Sequence, residues 1–268
     1  YQRSTHSGAG SIAVQTTGTL TIQPTGNSFT YMRAGDAGTL TFDNNWNFGT
    51  NLGGFVYGKT TNTTSLTYSN ALTTNGPITM YAGSISQNAA FSTTTATGHI
   101  RLLASADIAQ AASLTTQGGS VILWSDTDGA SGGRIGLTSN ITTNGGHIYA
   151  GGGSASETLN GLSVPSEYAT SGTNTLSGIT IAGTTINSVG GSIRMKGSNN
   201  SVDGANAGII VYNSTLNSGA GSLSMYGQRT GNPNTSAGLF IGTDMNSASL
   251  ATGNVSISST SGDIYLEV

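Results

Sequence analysis

The sequence predicts an all-β chain folded as one parallel β-helix over residues 1–268, with three short strands in each coil. Three observations carry that expectation. One short pattern returns along the chain; apolar residues alternate with a period of two; and no window keeps the i, i+3, i+4, i+7 spacing of a helix without interrupting Gly or Thr-Thr pairs.

The repeat is clearest when aligned on its glycines. "LTTNGPITMYAG" begins at Leu72, "LTTQGGSVILWS" at Leu114, "ITTNGGHIYAGG" at Ile141, "INSVGGSIRMKG" at Ile186 and "LNSGAGSLSMYG" at Leu216. A shortened copy, "LATGNVSIS", begins at Leu250. The common form is Φ-polar-polar-x-G-G-x-Φ-x-Φ, where Φ is apolar. Weaker copies lie between, each a Gly followed by two apolar residues spaced by two, as in "GHIRLL", "GRIGL" and "GDIYL".

Ordered along the chain, these elements form a cycle. First strands are expected to begin at Ile12, Leu40, Ile78, Val121, Ile148, Ile193, Leu223 and Val255, with the weaker copies as second strands. Leu72, Leu114, Ile141, Ile186, Leu216 and Leu250 mark a short third strand. Lean coils then hold about 27–32 residues, and insertions fall near 43–65, 83–97 and 151–175. Residues two apart on a strand point the same way. One set therefore fills a narrow interior, with Val121, Ile148, Ile193 and Leu223 in one column. A β-sandwich also uses short strands and Gly-rich turns, but gives no reason for Φ-T-T-x-G-G to return at one place in a cycle.

Composition narrows the function classes. Only 7% of the residues are charged, the net charge is −3, and Gly numbers 41. Eight Lys and Arg are scattered over the whole chain, so no basic patch points to nucleic acid. No apolar stretch is long enough for a transmembrane helix, so no membrane insertion is expected. Cysteine is absent, which removes disulfides and thiolate metal sites. The sequence starts at Tyr1 without a visible signal peptide and reads as mature or excised from something longer.

The "TTxGGxΦxΦ" pattern, from about Leu72 onward, resembles the repeats of filamentous-haemagglutinin-like bacterial exoproteins and other large repetitive surface adhesins. The resemblance implies a right-handed β-helix, secretion to the bacterial cell surface, and a role in adhesion or fibre building. It brings no catalytic residues and no cofactor. The expected partners are a host or environmental glycan or protein surface, or neighbouring copies stacked end to end. A polysaccharide-binding or polysaccharide-degrading β-helix is the alternative.

Candidate chemistry is sparse. Asp126 and Asp128 in "SDTDGASGG" form a weak candidate metal turn. The loop lacks the further ligands and closing Glu of a calcium-binding loop, so a turn after the first strand is the simpler reading. The remaining acids form no ladder of paired carboxylates on adjacent coils, as a glycosidase would need, and no enzyme is expected. His99 and His147 share a slot with Ser120, Ser192, Ser222 and Arg134, which suggests an exposed turn position. Thr73, Thr115 and Thr142 align outward, but the array breaks at Asn187.

The aromatic residues are the best candidates for a site. Tyr81 and Trp124 occupy equivalent outward slots and could form a platform for sugar rings or a protein partner. The competing reading is that each packs beneath a neighbouring insertion. Trp46, Phe48 and Phe55 are expected to pin the 43–65 insertion to the rod.

Overall fold

A computed structural model of the chain describes residues 12–29, 32–34, 46–47, 51–130, 132–171, 176–200, 207–230, 237–242 and 254–268. The described residues form strands and turns, with no helix, in three parallel sheets that wind about a common interior. The chain is a parallel β-helix with three strands per coil.

The first sheet stacks nine strands in chain order: Thr19–Ile22, Gly54–Tyr57, Ile78–Ala82, Ile100–Ala104, Val121–Trp124, Ile148–Leu159, Ile193–Asn199, Leu223–Arg229 and Ile264–Glu267. The second runs from Met32–Ala34 to Leu239–Gly242, and the third from Leu72–Thr74 to Ser256–Ser258. A separate pair joins Ile12–Ala13 to Trp46–Asn47.

The register makes the interior a set of columns. Phe55, Ile78, Ile100, Val121, Ile148, Ile193, Leu223 and Ile264 are partners from rung to rung. Val121, Ile148, Ile193 and Leu223 are fully buried in that column, as the alternation predicts. At the N-terminal end the interior is filled by aromatic rings: Tyr68 meets Phe91 edge-on at 4.9 Å, and Phe29 stacks on Tyr57 at 5.5 Å. Burial pushes the Tyr57 and Tyr68 hydroxyls well above the ordinary tyrosine range.

The T-T-x-G-G motif is the corner between the third and first sheets. Its second Thr or Ser turns inward and is buried at Thr74, Thr116, Thr143 and Ser188. Thr74 Oγ1 donates to Gly76 O at 2.7 Å, and Thr116, Thr143 and Ser188 donate likewise to Gly119, Gly146 and Gly191. A hydroxyl thus satisfies a carbonyl that the sheets leave unpaired. The last Gly of the motif is a contact requirement. A Cβ on Gly146 would lie 2.0 Å from Gly119 O, and one on Gly191 would lie 2.0 Å from Gly146 O. Backbone stacks directly on backbone there, and only Gly fits.

The lean coils from Val121 to Ile148 and from Ile193 to Leu223 hold the expected 27 and 30 residues, but three coils before them are shorter than the repeat spacing predicts. Phe55, Ile78, Ile100 and Val121 are successive partners, so those coils hold 23, 22 and 21 residues rather than about 27–32. Residues 83–97 are no insertion: Ile85–Gln87 and Phe91–Thr93 are the second and third strands of a complete coil. Ile100 accordingly begins a first strand. The cause is polar: Gln87 and Gln110 point inward where an apolar residue is expected, and both are buried. Gln110 Nε2 donates to Ala112 O at 2.5 Å, and Gln87 does the same to Ala89, so each amide closes its own corner.

The 43–65 segment likewise contains a first-sheet strand, and Phe55 fills the interior instead of pinning a loop. Ser256–Ser258, next to Val255, belongs to the third sheet, with Ile257 paired to Leu216. The last first-sheet strand begins at Ile264, just after Gly262 stacks on Gly221. Leu40, Phe48 and Leu250 lie outside the described residues.

The insertion near 151–175 is real. The Ile148–Leu159 strand runs beyond the sheet, turns at Asn160–Gly161, and returns antiparallel as Leu162–Glu167. Both turn residues have positive φ, 51° and 75°, the geometry of a tight two-residue hairpin.

Candidate functional site

The outward face of the first sheet carries two further columns. In one, Thr79, Arg101, Ile122 and Tyr149 are successive partners; in the other, Tyr81, Leu103, Trp124 and Gly151. Tyr81 and Trp124 therefore share a slot, as their spacing predicts. Leu103 stands between them, so they sit two rungs apart, about 10 Å.

The hairpin divides this face. Its Leu159, Leu162 and Val164 pack on Ile122, Trp124 and Tyr149, forming a small second core outside the rod. Trp124 is only 8% exposed, and its indole Nε1 donates to Gly153 O at 2.7 Å. Asn160 Nδ2 ties the hairpin tip to Tyr149 Oη at 2.7 Å. Trp124 is thus held beneath an insertion, the one at 151–175, while Tyr81 stays half-buried.

A cleft of about 300 Å³ opens at this edge. Tyr81, Arg101, Leu103 and Trp124 supply its floor from three successive strands. Thr60, Asn62, Thr127 and Ser154 also line it. Asn62 is a positioning residue. Its Oδ1 accepts from Ser28 Oγ at 2.6 Å and Phe29 N at 3.1 Å, and its Nδ2 donates to Tyr81 O at 3.0 Å, which fixes the loop against the strand.

Arg101 differs from the other outward cations. Arg194 Nη1 pairs with Glu157 Oε1 at 2.7 Å. Lys196 Nζ donates to Ser166 O at 2.5 Å and lies over the rings of Tyr168 and Tyr226 at 5.3 and 5.7 Å. Among the described residues, no carboxylate pairs with Arg101, and its Nε is buried without a hydrogen-bond partner. No Asp or Glu is among the residues that line the cleft.

Asp126 and Asp128 occupy a turn. Asp126 has φ 51°, its carbonyl accepts from Gly129 N at 2.9 Å, and its Oδ1 accepts from Gly132 N at 3.1 Å. Asp128 Oδ1 accepts from Ala130 N at 3.2 Å. These carboxylates close local backbone. Among the described residues, no group of three or more His, Cys, Asp or Glu could hold a metal ion.

The histidine slot is not an exposed turn position. His99 Nδ1 accepts Ser120 N at 2.9 Å, Ser120 Oγ accepts His147 N at 3.1 Å, and His147 Nδ1 accepts Ser192 N at 3.0 Å. Each side chain takes the backbone N–H of the equivalent residue one coil on. Both histidines are half-buried, and burial lowers their pKa; the nearby Arg101 guanidinium lowers that of His99 further. The unfolded chain then binds protons that the folded chain refuses. Stability from these groups is full above the ordinary histidine value of 6.5 and is lost as pH falls through the depressed folded values. The melting temperature is expected to fall between pH 7.5 and pH 5, and a His99→Gln/His147→Gln double variant should lose most of that fall. An unchanged pH dependence in the double variant would assign the effect elsewhere.

No family model, curated protein or solved structure matches this chain.

The sequence reading picks out Tyr81 and Trp124 but misses Arg101, Leu103 and the rim. Arg101 and Leu103 follow Ile100, and assigning Ile100 to the first sheet would have put them in the outward columns. Asn160–Gly161, flanked by Leu159 and Leu162, is a hairpin signal that announces the cover over Trp124.

Proposed function

We propose that this chain is a structural and adhesive segment of a secreted bacterial surface protein, a stiff stalk that mediates attachment outside the cell. The observation that supports this most is the first sheet: nine in-register rungs stack over about 40 Å, and the seven from Phe55 to Leu223 share one buried apolar column. Such a rod needs little charge, since coil-to-coil hydrogen bonds and the apolar interior hold it. The resemblance of its T-T-x-G-G corners to those of repetitive surface adhesins points the same way.

The cleft favours a second reading, a polysaccharide-binding β-helix. A half-buried tyrosine, an apolar strip and convergent polar groups are what a small saccharide site requires. The degrading version has less support, because the cleft presents no acid–base pair.

Beads coated with the chain test the proposal. They are expected to hold under shear flow to at least one surface in a panel coated with polysaccharides, cell-surface proteins or the chain itself, above uncoated beads. Retention no better than uncoated beads on every surface would overturn it.

A further inference from the structure

The cleft contains a cation without a counter-charge. Arg101 lies on the strand between those of Tyr81 and Trp124, with Thr79 and Ile122 as its rung neighbours. Neither neighbour can neutralise it. Arg194 and Lys196, farther along the same outward face, have partners from the hairpin segment, Glu157 and Ser166; Arg101, just before the hairpin, has none among the described residues. Its Nε is buried and unbonded and so out of a ligand's reach, but Arg101 is only half-buried and lines the cleft, where the terminal guanidinium nitrogens are the donors a ligand can meet.

The other lining groups restrict what that ligand is. Tyr81 is half-buried, Leu103 adjoins it on the next rung, and the hydroxyl-bearing Thr60, Thr127 and Ser154 also line the cleft. An aromatic ring and an aliphatic side chain beside hydroxyl-bearing residues suit a sugar ring and its hydroxyl groups. At about 300 Å³ the cleft is at the small end for a ligand pocket. The guanidinium fork matches a carboxylate in plane and spacing.

We propose that the cleft binds a carboxylate-bearing sugar residue of an acidic polysaccharide, with the hexuronate carboxylate on Arg101 and the sugar ring against Tyr81 and Leu103. This rests on the polysaccharide-binding reading and names its ligand class.

Calorimetric titration with oligosaccharides of polygalacturonate, alginate and glucuronan tests it, each beside the same oligosaccharide with its carboxylates reduced to hydroxymethyl groups. The wild-type chain is expected to bind at least one acidic oligosaccharide ten-fold or more tighter than its reduced form. Arg101→Gln is expected to weaken that binding by about 10–100-fold, the value of a charge-assisted hydrogen bond, and to abolish the preference for the acid. Arg101→Lys keeps charge without the fork and should fall between. Tyr81→Ala should weaken both forms. Circular dichroism and melting temperature establish that each variant is folded. Equal affinity for acidic and reduced forms, no binding of any acidic oligosaccharide, or full binding by folded Arg101→Gln would overturn the proposal. The outcomes separate the readings: equal affinity for acidic and reduced forms would leave the polysaccharide-binding reading standing while this one fails, and wild-type beads that hold although no oligosaccharide binds would leave only the adhesive reading.

Discussion

Gly146→Ala is expected to destabilise the rod by on the order of 3 kcal/mol or more, a fall of roughly 6–12 °C in melting temperature. The reason is contact. The new methyl carbon would sit 2.0 Å from the carbonyl oxygen of Gly119 and 2.5 Å from its carbon. Those are backbone atoms held on both sides by strand pairing, and Gly119 has no room to give way, since a Cβ there would lie 2.1 Å from Gly98 O in turn. Relief requires separating two coils at a corner. There, Gly145 N donates to Ser188 O at 2.7 Å and Thr143 donates its hydroxyl to Gly146 O. Gly145→Ala is the control. Gly145 has φ +106° but nothing within 4 Å of a new Cβ, so it carries only backbone strain, about 1–3 kcal/mol. Coils contact only their neighbours, so hydrogen exchange should rise first in rungs 114–124 and 141–150 of the Gly146→Ala variant. Two variants of equal stability would refute the contact explanation.

The same corner shows why the fold was legible from sequence. T-T-x-G-G joins two requirements that few other folds combine: an inward hydroxyl at Thr116 or Thr143, and a glycine stacked on the glycine of the coil before. The residues Leu114, Ile141, Ile186 and Leu216, read as third strands, pair in that order. Coil length was less legible, because the cycle was counted by apolar pairs. Gln87 and Gln110 break that count while obeying the geometry, since a buried amide that satisfies its own corner can replace a leucine. A glycine column would have been the better ruler: Gly76, Gly98, Gly119 and Gly146 fall one per coil.

Of the site, the sequence shows which residues share a slot and conceals which remain accessible. Tyr81 and Trp124 are equivalent by register and opposite in environment, because the hairpin from Ile148 to Glu167 folds back over one of them. Cover by a distant insertion is a tertiary property that strand alternation cannot encode. The absent partner of Arg101 is of the same kind: Arg194 and Lys196 are paired because they lie where the hairpin reaches.

Trp124→Ala should therefore act on the hairpin more than on the rod. The indole is almost fully buried against Val164 and the apolar residues around it, and truncating a buried tryptophan costs about 3–5 kcal/mol. The interior column loses nothing, since Val121 and Leu123 face inward and Trp124 outward. Amide exchange is expected to accelerate from Gly153 to Glu167 while the rungs at Ile100–Ala104 and Ile193–Asn199 stay protected. Trp124→Phe keeps most of the apolar contact and loses the bond from Nε1 to Gly153 O, about 1 kcal/mol, so its hairpin should remain docked. Tyr81→Ala, at the open end of the same slot, should leave hairpin exchange as in the wild type. If Trp124→Ala left the hairpin amides as slow as before, the outer core would not be what holds the hairpin to the sheet, and the wall it forms beside the cleft would need another support.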